Sequence, residues 1–251
     1  MKIYSCYSIK GGVGKTALAV NLAYYLREQG NRTLLMDLDP QGAAAFYYRV
    51  APAEDFPAED AGELGGEWIR KNIRESDYPG LDILPSNLAY RHFDVALNEM
   101  KKPRKQLRLT LAELRDLYDV VVLDAPPNIT LLSENIFRAS DAILVPVIPT
   151  TLSARTLMQL QEFFQAEDLN PEKLLPFFSM VQYGKRLHRD LMTELRTLFP
   201  RFLHAESPFS VDVEGMGTTR MPLLATTADR PAVRAYRALC AEAVARCESL
   251  K

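Results

Sequence analysis

The sequence predicts an α/β fold, a doubly wound and mostly parallel sheet with helices on both faces. Two observations lead to it. Short apolar runs, each closed by a turn residue or a proline, alternate along the chain with longer segments of helical periodicity. The apolar runs are also continuous, which is typical of strands that are covered on both faces. In such folds, ligands bind at the carboxyl ends of the strands.

The first half of the chain opens on a predicted strand at residues 2–9, which mix β-branched, aromatic and small side chains before a glycine run. From Thr16 the pattern becomes helical, with leucine recurring every fourth residue until a stop at Gly30. A second strand is predicted at 32–39. Residues 51–80 are rich in Pro, Gly, Asp and Glu, which predicts a surface excursion with one short helix near GEWIRKNI.

The second half of the chain continues the alternation. Apolar runs predict strands at residues 118–127, 141–149 and 173–181. Periodic segments predict helices at 104–117, 130–138, 151–166, 186–198 and 230–248. Because no internal repeat, low-complexity tract or linker interrupts the pattern, we expect one domain over residues 1–251.

Composition narrows the classes of function. The chain has 251 residues, a net charge of −2 and a pI of about 6.0, so any contact with nucleic acid must come from a local patch. The cysteines are odd in number and the histidines isolated, which argues against a disulfide framework or a zinc site; they are Cys6, Cys240, Cys247, His92, His188 and His204. With no leader-like segment and no apolar run long enough to span a bilayer, we expect a cytoplasmic protein without membrane contact.

The glycine run GGVGKT lies between a predicted strand and a predicted helix. Gly11, Gly12 and Gly14 let the backbone curl and aim N–H groups inward, and the helix start adds its positive dipole end. Lys15 would neutralise the β and γ phosphates of a nucleotide, and the Thr16 hydroxyl would bind Mg2+. A tight strand-to-helix turn would explain the glycines, but not the Gly-Lys-Thr sequence at the helix start.

The loop departs from the standard phosphate-loop pattern, because Ile9 replaces its first glycine and Lys10 follows. The motif KGGVGKT resembles the deviant phosphate loop of the ParA/MinD ATPases, relatives of nitrogenase iron protein. LLMDLDPQG and YDVVVLDAPP resemble that family's second and third motifs, and LDILPSN and AYRALCAEAVAR resemble other segments of its members. The likeness covers most of the chain and is greatest to partition ATPases of the ParA/Soj type. It implies ATP binding by Lys10, Gly11, Gly12, Val13, Gly14, Lys15, Thr16 and Ala17.

The resemblance also gives the second lysine of the loop a role. In that family, two protomers close face to face over two ATP molecules. Lys10 would then reach the partner's phosphates, hold an ATP-dependent homodimer together and stabilise charge that develops during phosphoryl transfer. Considered without the motif, Lys10 is more simply interpreted as a solvated surface lysine.

Three aspartates end two of the predicted strands. Asp37 and Asp39 flank Leu38, and period-2 alternation places both carboxylates on one face, where Mg2+ and water could bind. By the resemblance, Asp39 positions the attacking water and helps to hold Mg2+, and Asp124 is the Walker B aspartate, which holds Mg2+ through water. The alternative is that these carboxylates only cap strand-to-loop turns.

The evidence for DNA binding is mixed. The segment YGKRLHRD contains Lys185, Arg186 and Arg189, and it resembles one where partition ATPases bind DNA. Further along, many relatives carry another arginine where this chain has Asp212, although Arg220 follows.

Two further segments have open interpretations. The densest basic run, KKPRKQLR at residues 101–108, is either a solvated helix face or a contact for DNA or a partner. The adenine contacts of the family fall near Pro208.

Two functions therefore remain open. In the first, the chain is an ATPase that converts ATP and water to ADP and phosphate slowly. It would act in plasmid or chromosome partition or in cargo positioning, bind DNA non-specifically in the nucleoid, and be stimulated by a ParB-like protein or a cargo adaptor. In the second, it is an ATP-gated regulatory or assembly factor that binds a protein partner and no DNA. Asp212, Glu214 and the acidic pI favour the second.

Overall fold

The computed structural model describes residues 1–53, 66–86 and 93–250. Its described strands form one sheet, with the order β3-β4-β2-β5-β1-β6-β7. The strands are β1 (Lys2–Cys6), β2 (Thr33–Asp37), β3 (Arg74–Glu75), β4 (Leu81–Leu84), β5 (Val120–Asp124), β6 (Ala142–Val147) and β7 (Leu174–Phe178).

The sheet is parallel except at one edge. Each neighbouring pair from β4 to β7 is parallel, whereas β3 runs antiparallel to β4 through Arg74 and Glu75. The chain starts near the middle, at β1, and adds strands on both sides of it. This order confirms the predicted doubly wound, mostly parallel α/β fold, in which the point where the strand order reverses is the usual ligand site.

Helices cover both faces of this sheet. They are α1 (Lys15–Glu28), α2 (Ala43–Tyr47), α3 (Gly66–Asn72), α4 (Phe93–Asn98), α5 (Gln106–Ala112), α6 (Leu131–Ala139), α7 (Thr151–Ala166), α8 (Arg186–Leu198), α9 (Val211–Glu214), α10 (Met216–Thr219) and α11 (Pro231–Ser249). In the part of the chain that the structure describes, no helix is long and apolar enough to cross a membrane.

The core has two halves, one on each face of the sheet. Successive strand residues alternate between them: Ile3 packs with the apolar side chains of α4 to α8, and Tyr4 packs with those of α1 and α11. Val121 and Val122 divide in the same way. Because both faces are covered, the strands read as continuous apolar runs in the sequence.

The structure corrects several predicted boundaries. The first strand ends at Cys6 rather than at residue 9, because the chain turns into the glycine loop there. The helix predicted at 104–117 is regular only from Gln106 to Ala112, and tighter turns follow, in which the N–H of Leu114 bonds the carbonyl of Leu111 at 3.1 Å.

Five short elements of the described residues were not predicted: α2, α4, α9, α10 and β3. The helix near GEWIRKNI is confirmed as α3. Residues 54–65 of the predicted surface excursion lie outside the described residues, as do Asn87 of LDILPSN and His92.

A buried asparagine joins the first helix to the C-terminal part of the chain. Asn21 on α1 is fully buried. Its side-chain oxygen accepts the N–H of Leu224 at 2.9 Å, and its amide donates to the carbonyl of Ala17 at 2.7 Å. This side chain therefore positions the segment before α11 against the helix that carries the phosphate loop.

We expect Asn21→Ala to lower the free energy of unfolding by about 2 kcal/mol, because it leaves the buried N–H of Leu224 without an acceptor. Urea denaturation measures the change. Asn98→Ala is the matched control, since Asn98 is exposed and the same substitution there should change stability by less than about 0.5 kcal/mol. Equal effects of the two substitutions would refute the role of Asn21.

Candidate functional site

The glycine loop spans the gap between the end of β1 and the start of α1 at the carboxyl edge of the sheet. Gly12 and Gly14 have positive φ angles of 69° and 95°, which favour glycine. A Cβ at Gly14 would also lie 3.1 Å from the Ser179 hydroxyl oxygen. That hydroxyl donates to the carbonyl of Val13 at 2.8 Å, so the loop is held against the end of β7.

The start of α1 is built to receive an anion. The helix begins at Lys15, has no side-chain cap and has no acidic residue in its first turn. Its first backbone N–H groups therefore have no acceptor from a capping side chain, and they carry the positive end of the helix dipole. Gly11 and Gly12 are exposed in front of them, and Thr16 and Ala17 are half-buried behind them. A phosphate group could bind in this loop.

Lys15 is held inside the loop. Its side chain is buried, and its ammonium donates to the carbonyl of Lys10 at 3.2 Å. Burial lowers the pKa of Lys15, while Asp124 and Asp39 nearby oppose that shift. Lys10 itself is half-buried, and its backbone N–H donates to the Ser8 hydroxyl at 3.3 Å. One lysine of the motif is thus buried and the other is partly exposed.

Two carboxylates lie side by side beneath the loop. Asp124 on β5 is in register with Cys6 of β1 and with Asp37 of β2, and both aspartates are fully buried. Burial raises the pKa of Asp124 well above its usual value, and the nearby Asp37 raises it further, while Thr16 and Lys15 act in the opposite direction. Among the described residues, neither oxygen of Asp124 has a hydrogen-bond partner.

An orphaned, buried carboxylate beside a hydroxyl is a fitting place for a divalent cation. Mg2+ usually takes one or two protein oxygens and completes its shell with water and substrate phosphates. The described residues contain no group of three or more His, Cys, Asp or Glu side chains that could hold a metal ion by themselves. Asp124 and Thr16 could therefore hold Mg2+ together with a phosphate ligand, with Asp39 nearby.

The two aspartates at the end of β2 have different surroundings. Asp37 accepts the backbone N–H groups of Ala45 at 3.0 Å and of Asp39 at 3.3 Å, so it caps α2. Burial raises the pKa of Asp37 to about 7, and these two hydrogen bonds oppose the rise. Asp39 is half-buried and accepts the N–H of Gln41 at 3.0 Å. Asp37 thus caps a helix and Asp39 caps the turn after β2, as the alternative expects, and Asp39 also lies near Lys15. A role for Asp39 in binding stays a prediction.

Sequence reasoning missed the serines that shape the loop. Ser8 and Ser179 each bond loop backbone, and neither is part of the glycine motif. Ser179 also accepts from the hydroxyl of Ser207 at 3.2 Å, which brings the segment around Pro208 close to the loop. The bridge between Val181 and Pro208 fixes that segment beside the end of β7. The sequence held one signal for Ser179, which was its position near the end of the strand predicted at 173–181.

The basic residues predicted for DNA divide into two groups. Lys185, Arg186 and Arg189 are all exposed at the start of α8. Arg186 pairs with Asp190 at 3.4 Å, and Arg189 donates to the carbonyl of Tyr183 at 2.6 Å. They form one surface patch.

Arg220 does not join that patch. Its guanidinium lies 4.5 Å from the ring centroid of Phe46, and its Nε donates to the carbonyl of Phe46 at 3.1 Å, so it packs α10 against α2. Asp212, the acid at the position where relatives carry arginine, forms an ion pair with Arg230.

Comparisons with known proteins agree with this geometry. An AAA domain matches residues 1–173. The cell division protein PomZ of Myxococcus xanthus is 36% identical over 78% of this chain and 63% of its own length. The virulence plasmid ParA family protein pGP5-D of Chlamydia psittaci is 30% identical over 79% of this chain and 77% of its own.

A solved structure has the same fold. The ATP complex of a Cyanothece McdA variant superposes with a TM-score of 0.83 at 19% identity, over 98% of this chain and 96% of that one. The match to the AAA domain covers more than half of the chain, and the ParA relative matches more than two thirds of it. The chain belongs to the ParA/MinD family of P-loop ATPases.

Proposed function

We propose that the chain is an ATP-hydrolysing molecular switch that closes into a dimer around two ATP molecules. The observation that carries the proposal is that one site holds two buried groups of opposite charge. They are the ammonium of Lys15 and the carboxylate of Asp124, which has no hydrogen-bond partner among the described residues. MgATP supplies an anion for the first and a cation for the second. The seven-stranded sheet and the packing of α11 on α1 support treating residues 1–251 as one ATPase unit.

In this proposal, the residues of the site have separate roles in binding the nucleotide and Mg2+. The backbone N–H groups from Gly11 to Ala17 would hold the phosphates, and Lys15 would neutralise their charge. Thr16 and Asp124 would hold Mg2+, which offsets charge on the phosphates during transfer. Asp39, half-buried at the border of the site, would orient the attacking water and bind the Mg2+ shell.

Lys10 would act on the phosphates of the other protomer. Its backbone carbonyl accepts from Lys15, and the residue is only half-buried, so in this proposal its ammonium extends away from the loop towards the other protomer. Large apolar side chains are exposed in the segments that follow β5, β6 and β7, at Ile129, Leu152 and Tyr183. Phe209 is exposed as well, and its backbone N–H bonds the carbonyl of Val181 beside the end of β7. Because they lie on the same edge as the loop, they favour a second copy closing over this edge.

The switch would serve partition or positioning. The relatives include a cell division protein and a plasmid ParA family protein, and the exposed patch of Lys185, Arg186 and Arg189 offers a place for non-specific contact with DNA phosphates. In this proposal the protein is cytoplasmic and nucleoid-associated, and a ParB-like protein or cargo adaptor stimulates hydrolysis. The cargo would follow from that partner.

One observation favours the second function, an ATP-gated factor that binds a protein and no DNA. Arg220 packs on Phe46, and the acid Asp212 is paired with Arg230, so neither adds a free positive charge to the patch at α8. Of the four residues predicted to bind DNA, Lys185, Arg186 and Arg189 would then be left to make the contact.

Lys15→Ala should weaken ATP binding at least about 30-fold, because the loss of one partner of a buried charge pair costs about 2 kcal/mol or more. Titration calorimetry with a non-hydrolysable ATP analogue and Mg2+ measures it. Lys102→Ala, at an exposed lysine far from the loop, is the control and should leave the affinity unchanged. Retained affinity in the Lys15 variant would reject the phosphate site.

Lys10→Ala should leave ATP binding within about threefold but weaken nucleotide-dependent dimerisation at least about tenfold, since it removes a charge pair made only across the interface. Sedimentation velocity with the same analogue separates the two effects. A variant that dimerises like the parent protein would exclude the cross-subunit contact.

Reversing two charges at α8, with Arg186→Glu and Arg189→Glu together, should weaken binding of a random DNA duplex by at least about tenfold at low salt. Fluorescence anisotropy in ATP and Mg2+ reports it. Arg70→Glu with Lys71→Glu is the control, because it reverses two exposed charges on α3, outside both the patch and the basic run at residues 101–108. If the parent protein itself ignores DNA at low salt, the second function stands and the first fails.

A further inference from the structure

A groove lies at the edge of the sheet opposite the phosphate loop. It has a volume of about 530 Å³ and lies between the start of β7 and the helices α5 and α6. Its basic lining residues come from four separate places in the chain and are Lys105, Arg108, Arg115, Arg138 and Lys173. We call this the basal groove. Only Lys105 and Arg108 belong to the basic run at residues 101–108; folding adds the others.

A smaller hollow continues the basal groove towards the start of β1. It has a volume of about 120 Å³ and shares Arg108, Arg115, Arg138 and Lys173 with the groove. It adds polar surface at Ser140. The basic side chains therefore lie around one continuous depression, rather than along a convex helix face.

The positive charge of the groove is poorly compensated. Within the described ranges, Lys105, Arg108 and Arg115 form no ion pair or side-chain hydrogen bond, and the Nε of Arg138 is buried without a partner. Arg138 makes only a long contact, 3.4 Å, to the carbonyl of Glu167. Burying such a donor without an acceptor is costly, which points to an anion from outside the chain.

The lining acids do not supply that anion. Asp141 accepts the backbone N–H of Ile3 at 2.8 Å, and Asp168 is exposed at the rim. Burial lowers the pKa of Lys173; Asp141 opposes this shift, and Arg108 and Arg138 add to it. Arg108 and Arg138 thus repel the charge of Lys173 in the groove, and a bound polyanion would relieve that repulsion.

The shape of the groove narrows the class of ligand. Its volume is within the range of small-molecule sites, and a DNA duplex is too wide to enter it. Leu109, Phe137 and Leu169 add an apolar wall next to the bases, and the smaller hollow is the more polar end. Arginine forks suit phosphate oxygens, and an apolar wall suits the organic part of the same molecule.

We propose that the basal groove binds a small organic polyphosphate, with its phosphates among Arg108, Arg115, Arg138 and Lys173 and its organic part against Leu109 and Leu169. Because this site lies at the opposite edge from the phosphate loop, both can be filled at once. The proposal does not depend on the ATP switch.

The test is titration calorimetry at low salt on the full chain carrying Lys15→Ala, which weakens binding at the phosphate loop. The probes are UTP and inorganic tripolyphosphate. We expect one molecule of each per chain, with UTP binding more tightly. Arg108→Gln with Arg115→Gln, both at exposed positions, should weaken both probes at least about tenfold. Arg186→Gln with Arg189→Gln is the matched control and should change either affinity less than about twofold.

Leu109→Ser, also at an exposed position, should weaken UTP but leave tripolyphosphate unchanged. The proposal is overturned if neither probe binds, if the control pair loses as much affinity as the groove pair, or if sulfate at equal ionic strength displaces both probes. The proposal is also overturned if a glutamate-rich peptide or a random DNA duplex displaces UTP at a total concentration of negative charge below that of UTP. That result would favour a macromolecular partner.

Discussion

The site depends on buried charges of both signs that the chain itself leaves incompletely neutralised. Lys15 is closed into the loop by one carbonyl, and the Asp124 carboxylate lies under it without a hydrogen bond among the described residues. The carboxyl ends of the parallel strands lie at one edge of the sheet, which brings these two groups close together. They remain separate because each group belongs to a different strand or the loop after it. Binding an anion and a cation together would therefore stabilise this site more than binding either ion alone. This is the electrostatic reason that MgATP fits the site.

The sequence predicted the architecture because apolar runs and helical periods record burial directly. It placed α7 and α8 at the residues where they lie, and it brought the loop, Asp39 and Asp124 to one edge. It missed α2, a short helix held by a carboxylate rather than by periodicity, and so gave Asp37 the same position as Asp39. The role of Ser179 and the basal groove could not be predicted from the sequence, because the residues that form them are distant in the chain and only folding brings them together.

The two edges of the sheet have different characters. The carboxyl edge has the phosphate loop, the exposed apolar residues that follow three strands and the patch at α8. The amino edge has the basal groove, where Arg138 and Lys173 lie at the ends of a helix and a loop that also pack the core. Since a dimer closing over the carboxyl edge would leave the amino edge free, a ligand there could bind either form of the switch and shift their balance only if it binds one form better.

The most direct test of the account is the molar mass of the Asp39→Ala protein by size-exclusion chromatography with light scattering, with and without ATP and Mg2+. Removal of the carboxylate that we propose positions the attacking water should stop hydrolysis and leave the closed state intact. With MgATP we expect a particle of twice the chain mass of 28.3 kDa, and without MgATP we expect a monomer. A monomer at saturating MgATP, or a dimer that is indifferent to nucleotide, would contradict it.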